Sequence, residues 1–163
     1  MKVIFLDIDG VLNSNFWNDT HQSEISDGTL IDEEKVMLLG QLIRNTSAKV
    51  ILHSGWKFWF DSEVKPLRRE AERLISMLEK EGIKVNGVTP DHTTEEIRKS
   101  KKFSLVKASE ILAWVSQYDN IEKWIVIDDL DLHNEEIRKH QILTDASIGL
   151  TVENICEAER LLL

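Results

Sequence analysis

The chain opens on an unbroken apolar run, Val3-Ile4-Phe5-Leu6, that stops at Asp7. Comparable short runs recur at Lys49–His53, Ile83–Val88 and Trp124–Ile127, with a weaker one at Gln141–Leu143. Runs of this length bounded by turn residues predict strands, and strands this continuously apolar are buried on both faces. Between them the apolar positions take a helical spacing. Val36, Leu39 and Ile43 follow a candidate N-cap at Asp32. Leu67, Ala71, Leu74, Ile75 and Leu78 form a stripe that begins at Pro66 and ends at Gly82. Ala108, Ile111, Leu112 and Val115 form a third, and Ile155, Ala158 and Leu162, capped by Thr151, a fourth. Asn13–Ile31 lacks a clear period and predicts a loop or small flap, and Thr89–Lys102 predicts a charged loop. The alternation of strands and helices predicts an α/β fold: one Rossmann-like domain over residues 1–163, with a mostly parallel five-stranded sheet and helices on both faces.

The strand ends carry the chemistry. The first strand delivers Asp7 and, two positions on, Asp9, followed by Gly10. The second ends on Ser54-Gly55 and the fourth on Asp128-Asp129. In a parallel sheet these ends share one edge, and that edge is where ligands bind in open α/β folds. Carboxylates that close repel one another unless a cation or a shared proton holds them. Four of them with a hydroxyl and a lysine suit a hard cation and an anion together, the pairing Mg²⁺ makes with substrate phosphate. Lys107, at the start of the third helical stripe, carries an ammonium that could neutralise charge on a phosphate.

This ordered set resembles the haloacid dehalogenase (HAD) superfamily: DxDG after the first strand, a hydroxyl after the second, a lysine at a later helix, and DD after a further strand. Four local phrases are also similar to the HAD domain of Swiss-Army-Knife RNA repair proteins. They are Asp9-Gly10-Val11-Leu12-Asn13, His53-Ser54-Gly55-Trp56, Gly87-Val88-Thr89-Pro90, and Thr144-Asp145 with Gly149-Leu150-Thr151. The resemblance implies a HAD-type phosphatase, a phosphoric monoester hydrolase. Asp7 would be the nucleophile that becomes an aspartyl-phosphate, and Asp9 the acid and then the base. That double duty asks for a raised Asp9 pKa, from burial or neighbouring carboxylates. Ser54, Gly55 and Lys107 would bind the phosphoryl group; for the family's motif lysine, Lys107, one position before the helical stripe and about 20 residues before Asp128, is the first choice and Lys102 the second. Asp7, Asp9 (through its backbone carbonyl), Asp128 and Asp129 would bind Mg²⁺. The intervals between motifs are too short for a folded cap, so the implied site is open and suits a large substrate. A nucleotide or polynucleotide phosphate end ranks first, a small phosphate ester next. The different-class alternative is a non-catalytic phosphate-binding module of the same fold, which would not need both Asp7 and Asp9.

Composition trims this picture. The net charge of −9 argues against non-specific nucleic-acid binding by the whole surface, though not against a local basic groove. Arg98, Lys99, Lys101, Lys102 and Lys107 supply such a candidate, with a solvated charged loop as the plainer reading. Trp56, Phe58, Trp59 and Phe60 either stack a nucleobase or cover the sheet edge. His53 is expected to point away from Ser54 and serve structure. The single cysteine, Cys156, on an amphipathic pattern, is expected to be buried or inert and excludes an internal disulfide framework. With no signal-like start and no span of about 18 apolar residues, a cytoplasmic setting without membrane or obligate protein partner is expected.

Overall fold

The computed structural model describes residues 1–163. Five strands, β1 (Lys2–Leu6), β2 (Lys49–Leu52), β3 (Val85–Val88), β4 (Lys123–Asp128) and β5 (Gln141–Leu143), form one sheet in the order β3-β2-β1-β4-β5. Every pairing is parallel. The strand count, the parallel pairing and the flanking helices are those of a Rossmann-like α/β fold, as the sequence predicts.

Residue parity divides the core. Ile4, Leu6, Val50, Leu52, Ile125 and Ile127 face the larger apolar cluster, built with α3 (Glu33–Thr46), α4 (Arg69–Lys80) and α8 (Val152–Leu162). Val3, Phe5, Ile51 and Val126 face the smaller one, built with Ala108, Ile111 and Trp114 of α6 (Phe103–Ser116) and Ile137 of α7 (Glu135–Arg138). Side chains alternate along a strand, so each apolar run feeds both clusters at once. The predicted caps are in place: Asp32 accepts from Glu34 N at 3.0 Å, and Thr151 forms a capping box with Asn154.

Several expectations need correction. Asn13–Ile31 folds as two short helices, α1 (Asn15–Thr20) and α2 (Gln22–Ser26); Ser14 caps the first by accepting from Trp17 N. The stripe predicted from Pro66 starts later. Pro66 bridges Phe60, Leu67 donates its N–H to Trp59 O, and Leu67 is exposed, so α4 begins at Arg69 and buries Ala71, Leu74 and Leu78. The charged stretch before α6 contains α5 (Glu95–Ser100), capped by Thr94. Side-chain caps rather than apolar period set α1, α5 and α7, which is why the pattern missed them. β3 starts at Val85 rather than Ile83; a register shift follows the Val50–Val85 pair, and Val50 N–H donates to the Asn86 side chain. Cys156 is exposed on α8, which removes the buried alternative and leaves the inert one. Neither interval between motifs folds into a separate cap. No helix is long and apolar enough to cross a membrane.

Candidate active site at the carboxyl edge of the sheet

The ladder continues just past the strand ends and fixes the residues there. Asp7 N donates to Ile127 O at 3.0 Å, His53 N to Leu6 O at 3.1 Å, and Thr144 N to Asp128 O at 3.0 Å. β1 pairs Leu6 with Leu52 and with Ile127, so Asp7, His53 and Asp128 stand one step further in a single register row. They share the parity of Phe5, Ile51 and Val126, hence the face covered by α6. Lys107 sits in the second turn of that helix and reaches back over the row. Its Nζ lies 2.9 Å from Asp128 Oδ2 and 3.5 Å from Asp7 Oδ1. Lys102 caps the start of α6 and is exposed, away from these contacts.

Asp7, Asp128 and Asp129 each bring a carboxylate oxygen within 4.8 Å of the others. Asp7 and Asp128 are buried and Asp129 half-buried. Three carboxylates thus face one ammonium, and the imbalance shows in their acidity. Burial, then Asp128, pushes the Asp7 carboxyl well above the usual carboxylate range. Burial and Asp128 also raise Asp129. Burial alone would raise Asp128, but Lys107 beside it, with the Leu130 N–H bonded to Oδ1, holds it below its ordinary value. Lys107 is kept protonated by Asp7 and Asp128, which outweigh its own burial. Hard oxygen donors at this spacing, carrying charge that no side chain neutralises, fit a divalent cation such as Mg²⁺.

His53 stands in the same row, against Asp128. It is fully buried, its Nε2 lies 3.4 Å from Asp128 Oδ2, and neither ring nitrogen makes a hydrogen bond. Burial pulls its pKa down to about 3, so it is a neutral ring at pH 7. The charge that offsets Asp128 is therefore that of Lys107.

Asp9 is held differently. Its side chain is exposed and lies outside the carboxylate cluster. Oδ1 accepts from Asn13 Nδ2 at 2.9 Å and Oδ2 from Trp56 Nε1 at 3.1 Å. Asn13 in turn accepts from Gly10 N and donates to Leu30 O. Trp56 is buried, so the aromatic run after Ser54 serves partly as support for an acid. Ser54 is buried at the end of β2, with Oγ accepting from Trp56 N, and Gly55 beside it is open to solvent. Sequence reasoning missed Asn13 and Trp56 as positioning residues, although both close one of the local phrases quoted above.

Gly10 fixes the shape of the loop. Its φ of +81° suits glycine, and a Cβ there would lie 2.6 Å from Asp129 Cγ. Its carbonyl accepts from Thr144 Oγ1 at 2.8 Å. Gly10→Ala is expected to destabilise the protein by about 1–3 kcal/mol, read as a lower melting temperature in chelator. An unchanged melting temperature would show that the loop relaxes freely.

Fold and edge geometry together define a HAD-type α/β protein. Within that class, the chain belongs to the family described as the HAD domain in Swiss Army Knife RNA repair proteins, whose model matches residues 3–155. No curated protein and no solved structure matches the chain. At the family level this is a phosphatase-type hydrolase.

Proposed function

We propose that the protein is a Mg²⁺-dependent phosphomonoester hydrolase that works through an aspartyl-phosphate on Asp7, with a nucleotide or polynucleotide phosphate end as substrate. The observation that carries this reading is the gathering of Asp7, Asp128, Asp129 and the Lys107 ammonium at one sheet edge, beside the buried Ser54 hydroxyl.

In the first half-reaction an Asp7 carboxylate oxygen attacks phosphorus. The Asp7 O–P bond forms as the ester P–O bond breaks, and Asp9 passes its proton to the departing oxygen. In the second, water attacks phosphorus, the Asp7 O–P bond breaks, and Asp9 takes the water's proton. Phosphate leaves and both carboxylates return to their starting states. Ser54 Oγ, Gly55 N–H and Lys107 Nζ would hold the non-bridging oxygens. Lys107 offsets the charge that builds as a carboxylate meets a phosphate. Asp7, Asp128, Asp129 and the Asp9 backbone carbonyl would hold Mg²⁺, which supplies charge compensation and orientation for the transferring group. The two donors on Asp9 aim its carboxylate, a device that a mere phosphate binder does not need.

The family's tie to RNA repair and the absence of a folded cap support a polynucleotide end over a small ester. The test is turnover of 3′- and 5′-phosphorylated oligonucleotides, mononucleotides and sugar phosphates, each with Mg²⁺ and with EDTA. Turnover is expected with Mg²⁺ and none with EDTA. Equal rates in both conditions would remove the metal from the reading; no turnover of any ester would leave only the binding module.

A further inference from the structure

Next to Ser54 and Lys107 the surface opens into a pocket of about 390 Å³. Ser54, Gly55 and Lys107 line it, so it is continuous with the proposed phosphate position. Phe58 and Phe103 also line it, and they are 56% and 45% exposed. Two large aromatic side chains left in water at one pocket mark a surface that something flat and apolar covers. Arg98 adds a free cation at the same opening.

The inner end is polar and built. Lys57 and Glu110 are both buried and form an ion pair of 2.8 Å. Glu110 also accepts from His92 N at 2.9 Å. Both bonds land on Oε2. Oε1 is left as an acceptor on a side chain that lines the pocket.

Small-molecule pockets run from about 300 to 1,000 Å³. This one therefore has room for a single nucleoside and excludes a duplex. A phosphate ester held at Ser54 and Lys107 has its organic part either in solvent or in this pocket. The geometry points to a nucleobase subsite: the base of a single-stranded terminal nucleotide lies against Phe58 and Phe103 and donates an exocyclic amino group to Glu110 Oε1. Arg98 then meets the next phosphate of the strand. The inference rests on the phosphate position of the proposed function and adds the class of group attached to it. Stacking on aromatic rings tolerates any base. A carboxylate acceptor does not: it favours cytosine and other amino-bearing bases over uracil.

The test is equilibrium binding by calorimetry, in Mg²⁺, to the Asp7→Asn protein, where nothing is turned over. Cytidine and uridine 3′- and 5′-monophosphates are compared with ribose 5-phosphate. The better cytidine nucleotide is expected to bind at least about tenfold more tightly than ribose 5-phosphate. Adding Phe103→Ala, a substitution at an exposed position, is expected to erase that advantage while leaving ribose 5-phosphate unchanged. Cytidine is expected to be preferred over uridine, and Glu110→Gln to remove the preference. Equal binding of nucleotide and sugar phosphate, or an equal loss of both in Phe103→Ala, would overturn the subsite. Lack of turnover by the wild-type protein bears only on the phosphatase reading, because binding is measured without it.

Discussion

Asp7→Asn is expected to abolish turnover in Mg²⁺, by at least about 10³-fold, and to melt at a higher temperature than the wild type in EDTA. The two effects have one cause. Asp7 is buried beside Asp128 and Asp129 with a single ammonium between them. An ionised carboxylate there is what a nucleophile requires and what the apo fold least tolerates. Its folded pKa is raised above the unfolded value, first by burial and then by Asp128. The native state therefore keeps a proton where the unfolded chain has lost it, and stability falls as pH rises through that window. Asparagine carries no such penalty. The gain should be about 1–2 kcal/mol, or roughly 2–8 °C, at neutral pH. It should shrink as pH falls through about 4 and vanish below that, where Asp7 is protonated in both states. Mg²⁺ should reverse the order, stabilising the wild type by mass action more than the variant. Melting curves across pH, with and without Mg²⁺, read all three. A variant that melts below the wild type in EDTA at every pH would mean that the cluster carries no electrostatic strain.

Much of this site was legible before any coordinates, and parity is the reason. Val3 and Phe5 share a face with Asp7, Ile51 with His53, and Val126 with Asp128. Three apolar runs that end in polar residues at matched register must place those residues side by side once the strands pair in parallel. The helix covering that face is the one whose stripe begins beside Lys107, so the lysine follows as well. Parity also places His53 in the row beside Asp128. What stayed hidden depends on loops. Asp9 lies beyond the last ladder bond, and its orientation comes from Asn13 and Trp56, residues 4 and 47 positions away. The short helices α1, α5 and α7 were invisible because caps define them, not a buried stripe.

The local phrases that resemble the RNA repair family have a physical content that spacing alone does not disclose. Asn13 and Trp56 end two of them and bind the two oxygens of Asp9. Thr144 opens another and binds Gly10 O, and Leu150 N donates to Val11 O in the same loop. Gly149, at φ +79°, lets Asn13 O approach where a Cβ would stand 3.0 Å away. Three of the four phrases are thus the walls of one loop, the one that carries Asp9. The fourth, ending Thr89-Pro90, belongs to a different support.

That support is the Lys57–Glu110 pair, and it yields the largest expected loss of stability. Lys57 Nζ donates to Glu110 Oε2 at 2.8 Å, to Pro90 O at 2.8 Å and to Thr89 Oγ1 at 3.3 Å. Glu110 takes the His92 N–H as well. The pair ties the segment after β3 to α6 from inside, next to Ser54 and Lys107. Removing one member of a buried pair strands the other charge, at about 3–5 kcal/mol. Lys57→Met is therefore expected to destabilise by that amount in urea denaturation. Lys57→Met combined with Glu110→Gln should cost clearly less, because the amide still accepts from His92 N and leaves no unpaired charge. Hydrogen exchange should localise the residual loosening to residues 89–94 before the sheet is touched. If the double variant were as unstable as the single one, the packing of the lysine stem rather than the stranded carboxylate would hold this wall of the pocket.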